Sequence, residues 1–176
     1  SSLKGFGISE LNEAIVAAGA ILYYLDQTQH FQTSHITQIS RIHSDNFVWL
    51  DKFTIRNLEL FSTGYGDGKS FVDVLDDTRT AMGARLLRRW VAFPLKDIET
   101  INARLNIVDS FFREPEIKDT LLSLLSDVGD LERLVSKIAV LRVNPREVVQ
   151  LKVALTAIEN IKSLLSSSNS EDFNKI

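Results

Sequence analysis

The segment from Thr78 to Leu95, TRTAMGARLLRRWVAFPL, constrains the fold most, because it carries a helix start, a divided helix surface and a stop signal. Thr80 can cap a helix by accepting a hydrogen bond from a backbone N–H. Pro94 cannot continue the helix, since proline lacks that donor. The segment therefore predicts one helix between Thr80 and Pro94.

This predicted helix has an apolar side and a basic side. Residues advance by about 100° each along a helix, which separates the two classes of side chain. The apolar side comprises Met82, Leu86, Leu87, Trp90 and Val91, and the basic side comprises Arg85, Arg88 and Arg89. We expect Met82, Leu86 and Trp90 to anchor the helix in the core.

The basic side allows three interpretations. Between Thr78 and Lys96 the sequence carries positive charges and no acid. The arginines can form a solvated helix face, or pair with carboxylates elsewhere in the core or across a domain junction, or contact phosphates. Asp76 or Asp77 is a possible partner for Arg79. Arg85, Arg88 and Arg89 are therefore candidates for a junction or phosphate-contact surface.

The whole sequence predicts a mainly α fold, a multi-helix bundle with one short β-hairpin at about residues 36–50. Ser9 is a possible cap for a first helix that ends near Leu25 and is apolar enough to be buried on most sides. The hairpin follows from isoleucines at 36, 39 and 42 and the run 47–50, which flank the turn-forming residues 44–46. Asp51 then caps a short helix through Leu60.

Three further signals organise the second half of the chain. Asp97 begins a helix that Pro115 ends, and Asn144 with Glu147 forms the pattern of a capping box. From there a stripe made of Val148, Leu151, Leu155 and Ile158 runs toward Leu165. Residues 166–170 carry nothing to bury. We therefore predict one domain over residues 1–165, followed by a polar tail or truncated linker over 166–176.

Composition excludes several classes of protein. The net charge of −3 argues against a free-standing nucleic-acid binder, which is usually strongly basic. No cysteine is present, so disulfides and thiolate metal sites are excluded. The apolar run from Ala14 to Leu25 is shorter than a membrane span. The single methionine, Met82, and the polar final residues indicate a piece of a longer protein.

Three patterns only partly match chemical motifs. Residues 68–70, Gly-Lys-Ser, could finish a phosphate-binding loop, but Thr63 occupies the position of its first glycine. The three histidines, at 30, 35 and 43, lack the spacing of a metal site. An acidic cluster at 73, 76 and 77 is more typical of an acidic helix turn beside the arginine-bearing helix than of a cation site. We therefore expect no catalytic, cofactor-binding or metal-binding residue in this chain.

Several runs nevertheless resemble one family. Four of them are similar in order and spacing to the core domain of the MutS family of DNA mismatch-repair ATPases. They are residues 56–60, the segment 78–95 with Arg85, Arg88 and Arg89 (the arginine helix), residues 129–133 and residues 144–147. The resemblance extends from about Gly5 to Val149. Ala81 stands where that family usually has proline, and Ala84 where it usually has serine.

The resemblance implies a mechanical hub that couples a DNA clamp and an ATPase domain, neither of which is in this chain. It also implies ATP and magnesium, a homodimer, mismatched duplex DNA and a MutL-type repair partner for the full-length protein, which would act at the bacterial nucleoid in the cytoplasm. Two alternatives stay open: a helical protein-interaction module, or the core of a shorter MutS branch that controls recombination. Residues 5–25 favour the repair branch.

Overall fold

A computed structural model describes residues 10–28, 33, 36, 39, 46–64, 66–168, 170, 172 and 173. These residues form helices α1 (Asn12–Gln27), α2 (Lys52–Asn57), α3 (Phe71–Leu75), α4 (Ala81–Ala92), α5 (Ile98–Arg113), α6 (Pro115–Val128), α7 (Leu131–Ala139) and α8 (Pro145–Ser166). The prediction of a mainly α fold is confirmed. Within this described part of the chain, no helix is both long and apolar enough for a transmembrane span.

Two compact units make up the chain. One comprises residues 1–43 and 135–143, and the other comprises residues 44–134 and 144–176. Helix α1 lies in the first unit. It begins at Asn12 after Leu11, which makes no side-chain capping bond, and the predicted cap Ser9 lies outside the described residues. The expectation that α1 is buried on most sides is wrong for this chain, because none of its residues is buried.

Local capping chemistry sets the helix starts of the second unit. As predicted, the backbone N–H groups of Thr54, Gly83, Thr100 and Glu147 donate to the side chains of Asp51, Thr80, Asp97 and Asn144. Glu147 returns the bond by accepting from the Asn144 N–H at 3.0 Å, which completes a capping box. Helix α4 ends at Ala92, before Pro94. Pro115 follows α5 and opens α6, where its missing N–H costs nothing.

The β-hairpin predicted at about residues 36–50 is not supported. The described residues contain no strand, and most of the first arm lies outside them. Phe47 instead forms an isolated antiparallel bridge with Leu95, in which Val48 N–H donates to Pro94 O at 2.7 Å and Lys96 N–H donates to Asn46 O at 3.1 Å. Pro94 has no N–H with which to extend this ladder.

The core of the second unit is built around α6, which packs along α8 and against α5. Ala154 and Ala157 are the buried residues of α8, and their small side chains allow the two helices to approach closely. The predicted apolar stripe of α8 is wrong as the packing face, since Val148 and Leu155 are about half exposed. Alanines carry a weaker hydrophobic signal than valine or leucine, although here they form the contact.

The tail beyond α8 also departs from expectation. Phe173 is 2% exposed, and its ring centroid lies 4.6 Å from that of Phe111 in α5. The hydroxyl groups of Ser170 and Ser110 are 2.8 Å apart, so the tail contacts α5 through both apolar and polar groups. Residues 166–170, predicted to carry nothing to bury, are thus followed by a buried aromatic residue that the sequence did not indicate, and the tail over residues 166–176 and the domain boundary at residue 165 stay predictions.

Candidate functional site

The predicted basic side of α4 is the centre of the candidate site. Thr80 accepts from the Gly83 N–H at 3.0 Å and so starts the helix in the register that the sequence indicates. From that start, Arg85, Arg88 and Arg89 project from one side of α4. The structure assigns carboxylate partners to two of the three.

Arg85 contacts two carboxylates at the start of α7. Its two terminal nitrogens donate to the two oxygens of Asp130 at 2.7 and 3.1 Å. Its Nε and one terminal nitrogen donate to Oε2 of Glu132 at 2.9 and 2.6 Å. We call this group, Arg85 with Asp130 and Glu132, the arginine fork. The planar guanidinium suits this two-sided geometry, which a lysine could not reproduce.

Charge in the arginine fork stabilises the ionised forms of its members. Hydrogen bonds to Asp130 and then to Glu132 raise the pKa of Arg85 above its ordinary value. The pKa of Asp130 is lowered, chiefly because Arg85 donates hydrogen bonds to that carboxylate. Asp130 also accepts from the Arg133 N–H at 3.3 Å, in the manner of a cap for α7. One carboxylate thus holds both a helix start and the guanidinium.

Arg88 faces the other neighbouring helix. Its guanidinium lies 3.7 Å from a carboxylate oxygen of Asp73 in α3. Asp73 and Ser70 form a reciprocal capping box through their backbone N–H groups, and the buried Ser70 hydroxyl also donates to Asp73 at 2.7 Å. The Ser70 hydroxyl and then the Ser70 N–H lower the pKa of Asp73, and Arg88 adds a smaller effect of the same sign.

The remaining cations of this segment differ in their contacts. Arg79 lies 3.8 Å from Asp77, so the predicted pairing is confirmed for Asp77, whereas Asp76 accepts from Thr78. Arg89 forms no ion pair with any carboxylate in the described part of the chain. The proposal that Arg85, Arg88 and Arg89 together form a domain junction or a phosphate surface stays a prediction.

The apolar side of α4 is more open than the sequence suggests. Met82 is half-buried, whereas Leu86 and Trp90 are 47% and 43% exposed. The guanidinium carbon of Arg104, in α5, lies 3.8 Å from the centroid of the Trp90 ring, a cation–π contact that the sequence did not indicate. The anchoring role of Met82, Leu86 and Trp90 therefore stays a prediction.

Residues of the imperfect phosphate-loop motif form hydrogen bonds within the chain. Both the hydroxyl and the N–H of Ser70 donate to Asp73, so a carboxylate occupies the donors that a phosphate would need. The Gly64 N–H donates to Glu59 at 3.1 Å. Tyr65 and the three histidines lie outside the described residues. Among the residues that are described, no three histidine, aspartate or glutamate side chains are grouped closely enough to hold a metal ion.

Comparison with known proteins identifies the architecture that carries this site. A family model described as MutS domain III matches residues 53–176. The chain belongs to the MutS domain III family. The match includes α4, both acids of the arginine fork, and the tail that carries Phe173.

Similar proteins carry one name. The "DNA mismatch repair protein MutS" of Parabacteroides distasonis is 59% identical over 167 residues, which are 95% of this chain and 19% of that protein. The proteins of the same name from Phocaeicola vulgatus and Bacteroides fragilis are 54% and 53% identical over 175 residues, 99% of this chain and 20% of each protein. The chain thus spans about one fifth of the length of these curated relatives.

The residues that carried the family resemblance include the partners of the arginine helix. The run at residues 129–133, Gly-Asp-Leu-Glu-Arg, supplies Asp130 and Glu132. Sequence analysis noted this MutS run and the arginines separately and did not connect them. The pairing could have been predicted from two observations. Two acids lie close together near a predicted helix start, and the arginine helix contains no acid of its own.

Proposed function

We propose that this chain is the front part of the core domain of a MutS mismatch-repair protein and that its role is mechanical. The arginine fork is the observation that carries the proposal, because it joins α4 to the start of α7 across 45 and 47 residues of sequence. Close-packed helices change position in discrete steps, so a fork between two of them can transmit a rearrangement.

The activity of the whole protein is proposed from the family and from the names of the relatives. In this proposal, domains outside the chain bind ATP with magnesium and hold mismatched duplex DNA, and the full-length protein forms a homodimer that engages a MutL-type partner. The chain itself contributes no catalytic group. The relatives' shared name, DNA mismatch repair protein MutS, favours the repair branch over the recombination-controlling branch.

A chimera tests the mechanical role. This chain would replace the matching 167-residue segment of the Parabacteroides distasonis MutS, with which it is 59% identical. We expect Arg85→Gln to reduce DNA-stimulated ATP hydrolysis by about fivefold or more while mismatch binding persists, since coupling between sites is lost. Arg113→Gln is the matched control, because Arg113 pairs with Asp109 within its own helix and with no other carboxylate among the residues that the structure describes.

The same chimera separates mechanical coupling from direct DNA contact. If the basic side bound phosphates, Arg89→Gln would weaken binding to matched and mismatched duplexes alike and would reduce the salt dependence of binding. We expect neither change. Unaltered ATP hydrolysis and DNA binding in the Arg85→Gln chimera would contradict the mechanical proposal.

A protein-interaction module is the second candidate, and one observation favours it. A cleft of about 320 Å³ lies between α6 and α8, with apolar residues Leu124, Val149 and Val153 beside the charged Asp127 and Lys152. Val149→Asp with Val153→Asp in the chimera would then abolish repair in a MutS-deficient strain and spare ATP hydrolysis. Gln150→Asp, an exposed change on the same helix, is the control. Intact repair in the double variant would exclude this candidate.

A further inference from the structure

The turn between α6 and α7 joins a buried residue to an unusual backbone conformation. Val128, the last residue of α6, is 5% exposed. Gly129 follows with φ 64° and ψ −150°, a region that essentially only glycine adopts. A Cβ at Gly129 would meet no atom within 4 Å, so surrounding groups do not restrict this position. The chain therefore reverses at a position that favours glycine, directly beside the buried end of α6.

Helix α7 beyond this turn has little apolar packing of its own. None of its residues is buried. Leu131 and Leu134, which belong to the part of α7 in the second unit, are only half-buried. The fork instead supplies four hydrogen bonds from Arg85 to the first turn of α7 and the residue before it. The start of α7 thus depends on polar contacts, whereas α6 is held by its packing against α8.

The two carboxylates of the arginine fork differ in their surroundings. The Asp130 side chain is 25% exposed and also accepts from the Arg133 N–H, so it remains part of the helix start without Arg85. The Glu132 side chain is 66% exposed. Exposed ion pairs are weak and are screened by salt, which makes them separable without disruption of a packed core.

We propose that the arginine fork is a latch on the α6–α7 turn. When Arg85 binds both carboxylates, the first turn of α7 is fixed against α4. When Arg85 leaves, Gly129 lets the first turn of α7, residues 131–134, separate from α4 while Val128 and the α6–α8 pair keep their places. This inference rests on the proposed mechanical function for its biological meaning, and the latch itself is measurable in the chain alone.

Hydrogen–deuterium exchange of the 176-residue chain tests the latch. In Arg85→Gln we expect amides of α7 to exchange about fivefold faster or more, because local opening sets exchange rates, with α8 amides near Ala154 unchanged. Arg85→Lys should give an intermediate rate, since lysine lacks the fork geometry. Asp130→Asn keeps a capping side chain and should also speed exchange, whereas Arg113→Gln should not.

Salt provides a test that requires no variant. Exchange in α7 of the unaltered chain, relative to α8, should accelerate between about 0.05 and 1 M salt as the ion pairs are screened. The same ratio in Arg85→Gln should be insensitive to salt. A salt-independent ratio in the unaltered chain, or equal acceleration of α7 and α8 in Arg85→Gln, would overturn the latch.

The two proposals fail in different experiments. An Arg85→Gln chimera with unaltered DNA-stimulated ATP hydrolysis, combined with the expected exchange behaviour, would refute the mechanical function and leave the latch. A functional chimera whose coupling requires Arg85, combined with salt-independent exchange in α7, would refute the latch and leave a rigid mechanical contact.

Discussion

The α6–α8 contact and the α4–α7 contact hold helices together by different means. Ala154 and Ala157 are buried where α8 packs on α6, so that contact depends on close apolar packing. The α4–α7 contact instead depends on Arg85 and its two partly exposed carboxylates. Apolar packing requires matching shapes and contains no charges for salt to screen, whereas ion pairs are screened and can separate. One unit thus contains a fixed contact and a releasable one.

The largest expected effect is on the packed region. Phe173→Ala removes a 2% exposed ring that contacts Phe111, and we expect it to lower the free energy of unfolding by about 3–5 kcal/mol. Denaturant unfolding measures this change. Phe112→Ala is the matched control, because Phe112 is 81% exposed and should lose far less. Equal losses in the two variants would show that the tail does not dock on α5.

A second change tests close approach of α6 and α8. Ala154→Leu adds bulk at a 1% exposed position and should cost about 1–3 kcal/mol through overpacking. Gln150→Leu adds the same side chain at an exposed site of α8 and should be nearly neutral. Thermal unfolding distinguishes them. A stabilised Ala154→Leu would mean that the two helices are not in close contact.

The turn beside the releasable contact gives a third test. Gly129→Ala should destabilise by about 1–3 kcal/mol from backbone strain alone, since no atom lies near the added Cβ. Gly19→Ala in α1 also enters open space, but there alanine favours the helix and should stabilise by up to about 1 kcal/mol. We therefore expect chemical denaturation to show a lower free energy of unfolding for Gly129→Ala and a higher one for Gly19→Ala. An unchanged free energy of unfolding in Gly129→Ala would contradict the positive φ.

Features encoded within a few residues were the ones that sequence analysis predicted. Thr80 and Asn144 start helices through bonds to backbone three residues away, so their roles follow from residue type and spacing alone. The partners of Arg85 lie more than forty residues away, and no periodicity specifies which acids a guanidinium meets. Phe173 was missed for a related reason, because its contact with α5 depends on how the chain returns after α8.

The apolar faces show a different limit. Helix α8 carries apolar residues on more than one side, so hydrophobicity favoured the larger side chains of Val148 and Leu155, which are exposed, over the buried alanines. Residues 47–50 combine β-branched and aromatic types and therefore indicated a strand, yet within the described part of the chain Phe47 forms an isolated bridge with Leu95 and no strand. In both cases the part of the chain that the segment contacts decided which residues are buried or paired.

The smallest expected effect is the response of the helix caps to acid. Hydrogen bonds from the Thr54 N–H and from the Thr100 hydroxyl are the largest causes that lower the pKa values of Asp51 and Asp97 below their ordinary range. A carboxylate whose pKa is lower in the folded state stabilises the fold above its unfolded pKa, about 3.9, and this contribution is lost as pH falls through the folded value. Stability should therefore decrease below about pH 4.

Asn substitutions isolate that titration, because asparagine caps helices about as well as aspartate but carries no charge. The double variant Asp51→Asn with Asp97→Asn should match the unaltered chain in melting temperature at neutral pH. Below about pH 4 its melting temperature should decrease less steeply, since two of the titrating caps are gone. An unchanged acid slope would assign the loss to the other carboxylates whose pKa is lowered, Asp73, Asp76 and Asp130, since each stabilises the fold in its ionised form.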